Sequence, residues 1–159
     1  MFECRERLEQ YLGESRVPFE VHSHEVTYTA QETAAVEHVP GRMVAKPVIV
    51  FADGKMVMLV LGAPHRVDFH RAAEVLGVKE VRLAREDEFA GAFPDCEVGA
   101  MPPFGNLYGV PVYVDGIVAG DERILFLPGS HSETMSVSYT DFARLVGPVV
   151  AELRHPVPV

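Results

Sequence analysis

The sequence predicts an α+β fold in which helices surround a mixed, mainly antiparallel, barrel-like sheet. Apolar, β-branched stretches occur in pairs joined by tight turns, and amphipathic helical segments are inserted between those pairs. The second half of the chain is mostly predicted strand. A parallel βαβ arrangement is the weaker alternative. With 159 residues, 48% of them hydrophobic, we expect a single domain over residues 1–159.

The N-terminal part of the chain predicts helix, strand and helix in that order. Glu3 to Leu12 forms an amphipathic pattern typical of a short helix, and Phe19 to His22 alternates like a strand. Thr29 and Glu32 have the spacing of a capping box, in which each side chain satisfies a backbone donor of the other. A helix is therefore predicted to continue to about Glu37.

A β-hairpin is predicted next. Met43 to Phe51 and Lys55 to Leu61 are apolar and β-branched, and Asp53-Gly54 between them favours the positive φ angles of a tight turn.

Two further helices are predicted in the middle of the chain. Asp68 can cap a helix that runs through Leu76 and is closed by Gly77, and Glu86 to Phe93 predicts another. Between these helices, Glu80 to Leu83 predicts a short strand.

The second half is predicted to be mainly β-structure. We expect a strand over Val110 to Val114 that turns at Asp115-Gly116, and then strands over Arg123 to Leu127 and Thr134 to Ser138. Asp141 to Val146 predicts a last helix.

Charge and hydropathy exclude several classes of protein. Lys and Arg number 14 against 23 Asp and Glu, and the net charge of -9 opposes broad binding to a phosphate backbone. We therefore expect no DNA partner and only local contact with other nucleic acid. The longest apolar stretches are far shorter than the ~20 residues that span a bilayer, which predicts a cytoplasmic protein without a membrane partner. Cys4 and Cys96 form no CxxC motif and are expected to be free thiols.

Lys46 is the first candidate functional residue. In a strand, period two places it on the same face as Val44, Val48 and Val50, where a charge needs a partner or a cavity. The alternatives are an edge-strand lysine that discourages aggregation and a lysine whose stem packs while its ammonium reaches water. Pro47 fits such an edge.

Two loops also carry candidate residues. Gly99 to Gly105 combines glycines, which let backbone N–H groups approach a ligand, with prolines that hold the loop's shape, as a site for a carbonyl or oxyanion requires. In the second loop, Pro128 to His131, the histidine could orient water, donate to a carbonyl or act as a base. A proline-rich connection and a solvated loop histidine are the alternatives.

Two rival arrangements are weaker. His22 and His24 could bind a metal together with His65, Asp68 or His70, but there is no HExxH motif or cysteine cluster. No metal and no other cofactor are predicted.

A nucleophile and base pair is the second rival. Cys96 or Ser130 could act with His131, but neither lies in a recognisable nucleophile elbow.

The order of these features resembles the YbaK/prolyl-tRNA-synthetase-associated editing domain family. The resemblance covers about Phe19 to Val146, and the segments that carry it are Val44–Val50 with its lysine, Ala73–Gly77 followed by Val78–Leu83, the GxxxPxG loop Gly99–Gly105, Val112–Asp115 and Gly129–His131.

The resemblance implies a freestanding aminoacyl-tRNA deacylase. Such a trans-editing enzyme hydrolyses the ester of a mischarged tRNA, here tRNA(Pro) carrying a small noncognate amino acid such as Ala or Cys. It assigns Lys46 to the terminal phosphate or the ester carbonyl, and His131 to the ordering of water or substrate. The tRNA acceptor end is the implied partner, and prolyl-tRNA synthetase or an elongation factor would supply the remaining affinity.

The resemblance also assigns substrate-binding residues. It places Gly99, Pro103 and Gly105 in the loop that polarises the ester carbonyl, and Gly129 and Ser130 beside His131. His24 falls where relatives often carry an aromatic pocket residue.

One residue departs from the family pattern. Pro47 stands where relatives usually carry Thr, Ser or Asn, so a hydroxyl or amide donor is lost. The alternative function is a non-catalytic module that binds a small ligand or an aminoacyl group, because the fold alone does not separate the two functions.

Overall fold

The computed structural model describes residues 3–156. Within this range the α-helices are α1 (Cys4–Glu14), α2 (Ala30–Glu37), α3 (Phe69–Leu76), α4 (Glu86–Phe89), α5 (Gly116–Ala119) and α6 (Tyr139–Val146). The strands are β1 (Glu20–Ser23), β2 (Ala45–Ala52), β3 (Lys55–Gly62), β4 (Val81–Leu83), β5 (Val112–Asp115), β6 (Arg123–Phe126), β7 (Glu133–Ser138) and β8 (Val149–Ala151).

The strands form two open sheets. The larger has the order β4-β2-β3-β5-β8, with β2 antiparallel to β3 and β4, and with β5 parallel to β3 and β8. The smaller has the order β1-β7-β6 and is antiparallel throughout. The α+β class with a mixed sheet and surrounding helices is thus confirmed, but the expectation of closure into a barrel is wrong. A single bridge between Val44 and Leu125 joins the sheets.

Alternation along β2 gives the large sheet two apolar faces. Ile49 belongs to the core that contains Phe104, Phe126 and Phe142, whereas its neighbour Val50 faces the cluster beneath α3. Both faces are covered, which explains why β2 and β3 read as nearly continuous apolar runs.

The local signals for α2 and α3 are confirmed. Thr29 and Glu32 form the capping box, and Asp68 accepts a hydrogen bond from the backbone N–H of Arg71. Gly77 closes α3 in the left-handed conformation.

The tight turn expected at Asp115-Gly116 is wrong. The Asp115 side chain accepts a hydrogen bond from the backbone N–H of Ile117 and thereby starts α5. β5 consequently pairs in parallel with β3, and β6 belongs to the other sheet.

The expectation of two free thiols is also wrong, because Cys4 and Cys96 form a disulfide with their Cα atoms 4.9 Å apart. The start of α1 is held against the segment before Cys96 by a hydrogen bond of 2.9 Å from the N–H of Cys4 to the carbonyl of Asp95. A separation of 92 residues conceals this proximity in the sequence.

None of the helices described within residues 3–156 is both long and apolar enough to cross a membrane.

The start of β2 is an open edge. β4 pairs only with Val50–Ala52, so Lys46 and Pro47 have β3 on one side and no paired strand on the other among the described residues. A proline is tolerated there because its missing N–H is not needed for a second ladder. The candidate site lies at this unpaired side of β2.

Candidate functional site

A pocket of about 200 Å³ opens at the start of β2. The start of α2, the start of β2, the Gly99 loop and the end of β6 contribute its walls. We call it the central pocket; its lining comprises Tyr28, Thr29, Ala30, Thr33, Val44, Ala45, Lys46, Pro47, Gly99, Met101 and Leu127. Its volume is below the ~300–1,000 Å³ of pockets for drug-sized ligands, so it suits one small group.

Lys46 brings a half-buried cation to this pocket. Its ammonium donates one hydrogen bond of 3.0 Å to the carbonyl of Ala63, which leaves two of its three N–H donors for a ligand. Burial, and secondarily the nearby Arg66 guanidinium, lower the pKa of Lys46 below its ordinary value. A lysine held this way is suited to stabilise negative charge on a bound molecule.

The first half of the glycine loop reaches the central pocket. Gly99 has a left-handed φ of +82°, and Met101 is buried at the pocket wall. Ala100 uses its backbone N–H on the carbonyl of Glu97, whereas those of Gly99 and Met101 have no acceptor within the described part of the chain. These two donors are candidates for polarising a carbonyl.

The second half of the same loop lies in the core instead. Pro103 is buried and has no N–H to donate, and a side chain at Gly105 would meet the carbonyl of Val110 at 2.5 Å. Neither residue lines the central pocket. Both hold the loop in place, and their assignment to substrate stays a prediction.

His131 lies beside the pocket and contacts the backbone of two loops that border it. Its Nδ1 and Nε2 atoms each lie 2.9 Å from a carbonyl oxygen, of Thr27 and Val98 respectively. The ring also packs against Tyr28, with centroids 5.6 Å apart. Because both nitrogens contact the backbone, the geometry favours positioning over proton transfer for His131.

Gly129 and Ser130 belong to the same loop as His131. The Ser130 hydroxyl lies 3.2 Å from that of Ser132, and a side chain at Gly129 would collide with Cys4. The structure places neither in the lining of the central pocket, so their substrate role is still a prediction.

The close approach at Gly129 leads to a stability prediction. An added Cβ would lie 2.5 Å from the Cβ and 2.7 Å from the Sγ of Cys4, at a φ of +123°. We expect Gly129→Ala to lower the free energy of unfolding by about 2–4 kcal/mol through strain and overpacking. Gly54→Ala, also at positive φ but with nothing within 4 Å, is the control, and its cost is expected near ~1 kcal/mol. Equal losses in urea unfolding would contradict the collision.

His24 lies outside the central pocket. Its Nε2 atom is 2.6 Å from the Thr134 hydroxyl, and its Nδ1 atom is 2.6 Å from the carbonyl of Glu25. The aromatic side chain that does line the pocket is Tyr28. A pocket role for His24 stays a prediction.

The two rival arrangements are not assembled. In the described part of the chain, the group of potential metal ligands that converges is Cys4, Asp95 and Cys96, without any histidine, and its two cysteines are bonded to each other. The disulfide leaves Cys96 without a thiol to act as a nucleophile. The Ser130 hydroxyl contacts that of Ser132, and both ring nitrogens of His131 lie against backbone carbonyls.

Tyr28 and Thr33 are pocket residues that the sequence reasoning missed. Glu32 accepts backbone hydrogen bonds from Tyr28 and Thr29, which lower the pKa of its carboxyl and fix the turn that presents Tyr28. Thr33 bonds the hydroxyl of Thr27 at 2.8 Å in the interior. The capping box could have indicated this position. Tyr28 precedes the N-cap residue Thr29, and the start of α2 forms one wall of the pocket.

Comparisons with known proteins identify the family of the chain. The model of the aminoacyl-tRNA editing domain family matches residues 24–145. The chain is 28% identical over 128 residues to a proline–tRNA ligase of Acidithiobacillus ferrooxidans and 29% identical over 132 residues to that of Thiobacillus denitrificans. These matches cover 80% and 81% of this chain but 22% of each ligase, so the chain corresponds to about a fifth of those relatives.

A solved structure shares the fold. The crystal structure of a candidate trans-editing enzyme for prolyl-tRNA synthetase superposes with a TM-score of 0.83 at 20% identity, over 98% of this chain and 99% of that one.

Proposed function

Because the chain belongs to the aminoacyl-tRNA editing domain family, we propose that it is a deacylase that hydrolyses the ester of a mischarged tRNA. The observation that carries the proposal is the half-buried Lys46 beside a small pocket that Gly99 and Met101 also line, two residues whose backbone N–H groups have no acceptor within residues 3–156. A cation and two backbone donors are what an ester carbonyl needs when negative charge develops on its oxygen.

The mechanism assigns a separate task to each residue. Lys46 holds the terminal phosphate or the carbonyl oxygen, and the Gly99 loop polarises the ester. His131 keeps the loop at Thr27 and the loop at Val98 at a fixed separation. No carboxylate or imidazole is among the lining residues of the central pocket, so we assign the proton movement to the substrate. As water adds to the acyl carbon, the ribose hydroxyl next to the ester accepts the water proton and passes its own proton to the ribose oxygen that departs when the ester C–O bond breaks.

The acyl group that fits is small. A volume of about 200 Å³ supports Ala or Cys, and the relatives named proline–tRNA ligase support tRNA(Pro) as the carrier. One methylene changes hydrophobic discrimination by only ~1–3 kcal/mol, so the pocket alone separates these amino acids modestly. The net charge of -9 supports contact limited to the acceptor end, with a synthetase or an elongation factor supplying further affinity.

The test is a deacylation panel. Purified protein is incubated with tRNA(Pro) charged in turn with Ala, Cys, Ser, Thr or Pro, and the loss of each ester is compared with spontaneous hydrolysis. We expect rapid loss of one small noncognate ester and no loss of the proline ester above its spontaneous rate. Equal, uncatalysed rates for all five would contradict it.

Tyr28 carries a prediction about substrate binding. Its side chain is 76% exposed at the pocket mouth, where it can stack on the terminal base of the acceptor end. Stacking of a base on an aromatic ring contributes ~1–3 kcal/mol, so Tyr28→Ala is expected to raise the KM for deacylation about fivefold or more. Tyr28→Phe retains the ring and should behave like wild type in the same assay. An unchanged KM in the alanine variant would contradict stacking.

Pro47 favours the second candidate function, a non-catalytic module that binds an aminoacyl group. It lines the central pocket but offers neither an N–H nor a polar side chain. Pro47→Asn distinguishes the two functions: activity that appears only in this variant would support the binding module, and activity in wild type would support the enzyme.

A further inference from the structure

A second depression lies on the other face of β2, and Lys46 borders it as well as the central pocket. It has a volume of about 480 Å³. We call it the basic groove and define it by Lys46, His65, Arg66, Phe69, Leu83 and His155.

The C-terminal segment builds one wall of the basic groove. The N–H of Asp68 donates to the carbonyl of Leu153 at 2.8 Å, and the N–H of His155 donates to the carbonyl of Arg66 at 2.9 Å. This pairing sets the side chains of Arg66 and His155 on the same depression, although 89 positions separate them in the sequence.

The charge of the basic groove is opposite to that of the whole chain. No acidic residue is among its lining, although the net charge is -9. The Asp68 carboxylate lies behind one wall, 3.7 Å from the Nδ1 atom of His155, and leaves Lys46 and Arg66 as the cations without a carboxylate. Lys46 and Arg66 repel each other closely enough to help lower the pKa of Lys46, and neither forms an ion pair with a carboxylate within residues 3–156. Two unpaired cations held together destabilise the free protein, and a bound anion would relieve that repulsion.

His65 adds a buried, unpartnered polar group. The residue is 7% exposed, and its Nδ1 atom is buried without a hydrogen-bond partner. Burial lowers the pKa of His65, so a neutral ring is favoured. This nitrogen lies against the backbone at Gly62, where an added Cβ would be 3.2 Å away, so we assign it no contact with the ligand.

Apolar side chains lie beside these charges. Phe69 is 37% exposed and Leu83 is 57% exposed, and both line the basic groove. Cations that track a backbone beside an exposed aromatic ring are the pattern of a site for single-stranded nucleic acid.

We propose that the basic groove binds the phosphodiester backbone of the single-stranded 3′ end of the tRNA, with a base against Phe69, and so leads the terminal aminoacyl nucleotide past Lys46 into the central pocket. This inference rests on the proposed function for the identity of the RNA. Free phosphate could also place an anionic oxygen between Arg66 and Lys46, as a phosphodiester would. Continuity through Lys46 and the exposed aromatic ring favour the strand.

The test measures RNA binding and catalysis separately. A fluorescent CCA trinucleotide is titrated with the full chain, and Arg66→Gln is compared with wild type and with Lys79→Gln. Lys79 follows α3 near the tip of the hairpin, at the far end of β2, so it controls for the loss of one positive charge. We expect Arg66→Gln to weaken binding about fivefold or more and to reduce the slope of log Kd against log salt by about 0.7, with Lys79→Gln close to wild type.

Competition identifies the ligand. Inorganic phosphate should displace the trinucleotide only at concentrations far above the Kd for the trinucleotide. Equally effective displacement by phosphate would overturn the assignment to a strand, and identical binding by wild type, Arg66→Gln and Lys79→Gln would overturn the basic groove itself.

Kinetics separate this inference from the proposed function. With aminoacylated tRNA, Arg66→Gln should raise KM with little change in kcat, whereas an aminoacyl-adenosine without phosphate should be hydrolysed equally by both proteins. RNA binding that depends on Arg66 without any ester hydrolysis would support the groove and contradict the deacylase. Ester hydrolysis with the same KM in Arg66→Gln and wild type would support the deacylase and contradict the groove.

Discussion

Replacing Lys46 by methionine is expected to lower the kcat/KM for deacylation about 100-fold or more, because the loss of one preorganised donor to a developing oxyanion typically costs that much. Methionine keeps the unbranched stem, so packing along β2 is preserved while the ammonium and its bond to Ala63 are removed. The rate is measured with charged tRNA under single-turnover conditions. Lys55→Met, at the exposed start of β3, is the matched control and should leave the rate unchanged.

The same substitution should not destabilise the fold. The pKa of Lys46 is lower in the folded state than its ordinary value of 10.5, so the unfolded chain binds this proton more tightly. The charged lysine therefore costs stability at neutral pH, and that cost disappears as the pH rises from the folded pKa through 10.5. We expect Lys46→Met to be at least as stable as wild type at pH 7, with the difference narrowing in alkaline buffer. An inactive variant that is also markedly less stable would contradict this explanation, and so would a fully active one.

Replacing Asp115 by alanine is expected to lower the free energy of unfolding by about 3–5 kcal/mol, because it breaks a buried ion pair and leaves one partner uncompensated. The Asp115 side chain is fully buried and lies 3.1 Å from the Arg154 guanidinium through both oxygens. It also accepts hydrogen bonds from the backbone N–H groups of Ile117 and Leu153. One carboxylate thus joins the start of α5 to the C-terminal segment.

An exposed ion pair provides the control for Asp115. Arg71 and Glu152 lie 3.0 Å apart, but the glutamate side chain is 67% exposed. Glu152→Gln should therefore cost about 1 kcal/mol or less in urea unfolding. Similar losses for Glu152→Gln and Asp115→Ala would show that the buried network contributes little beyond a surface pair.

Local chemistry made much of the fold predictable. Asp53-Gly54 specifies a hairpin turn, and the capping box at Thr29 starts a helix from contacts within four residues. Asp115 shows where such reasoning fails. A strand followed by Asp-Gly is also typical of a hairpin, and only the distant Leu153 and Arg154 make this carboxylate a buried anchor. The last strand, β8, was not predicted because its three residues carry too short a pattern.

Strand periodicity predicts one part of the site, the position of Lys46. Lys46 was conspicuous among valines, and the structure does bring it to a cavity together with Gly99. The family resemblance assigns Gly105 and Gly129 to the substrate, and that assignment stays a prediction. The structure adds that protein atoms approach both glycines closely, which a single sequence does not reveal. The sequence does not predict that Arg66 and His155 lie together, because it is the tertiary contact of the C-terminal segment that brings them close.

The most direct test of the account is the single-turnover release of amino acid from tRNA(Pro) charged with alanine and, separately, with proline, using excess wild-type protein. We expect the alanine ester to be cleaved well above its spontaneous rate and the proline ester to be spared. If both esters decay at their spontaneous rates while the protein is folded and binds the acceptor end, the chain is not the deacylase proposed here.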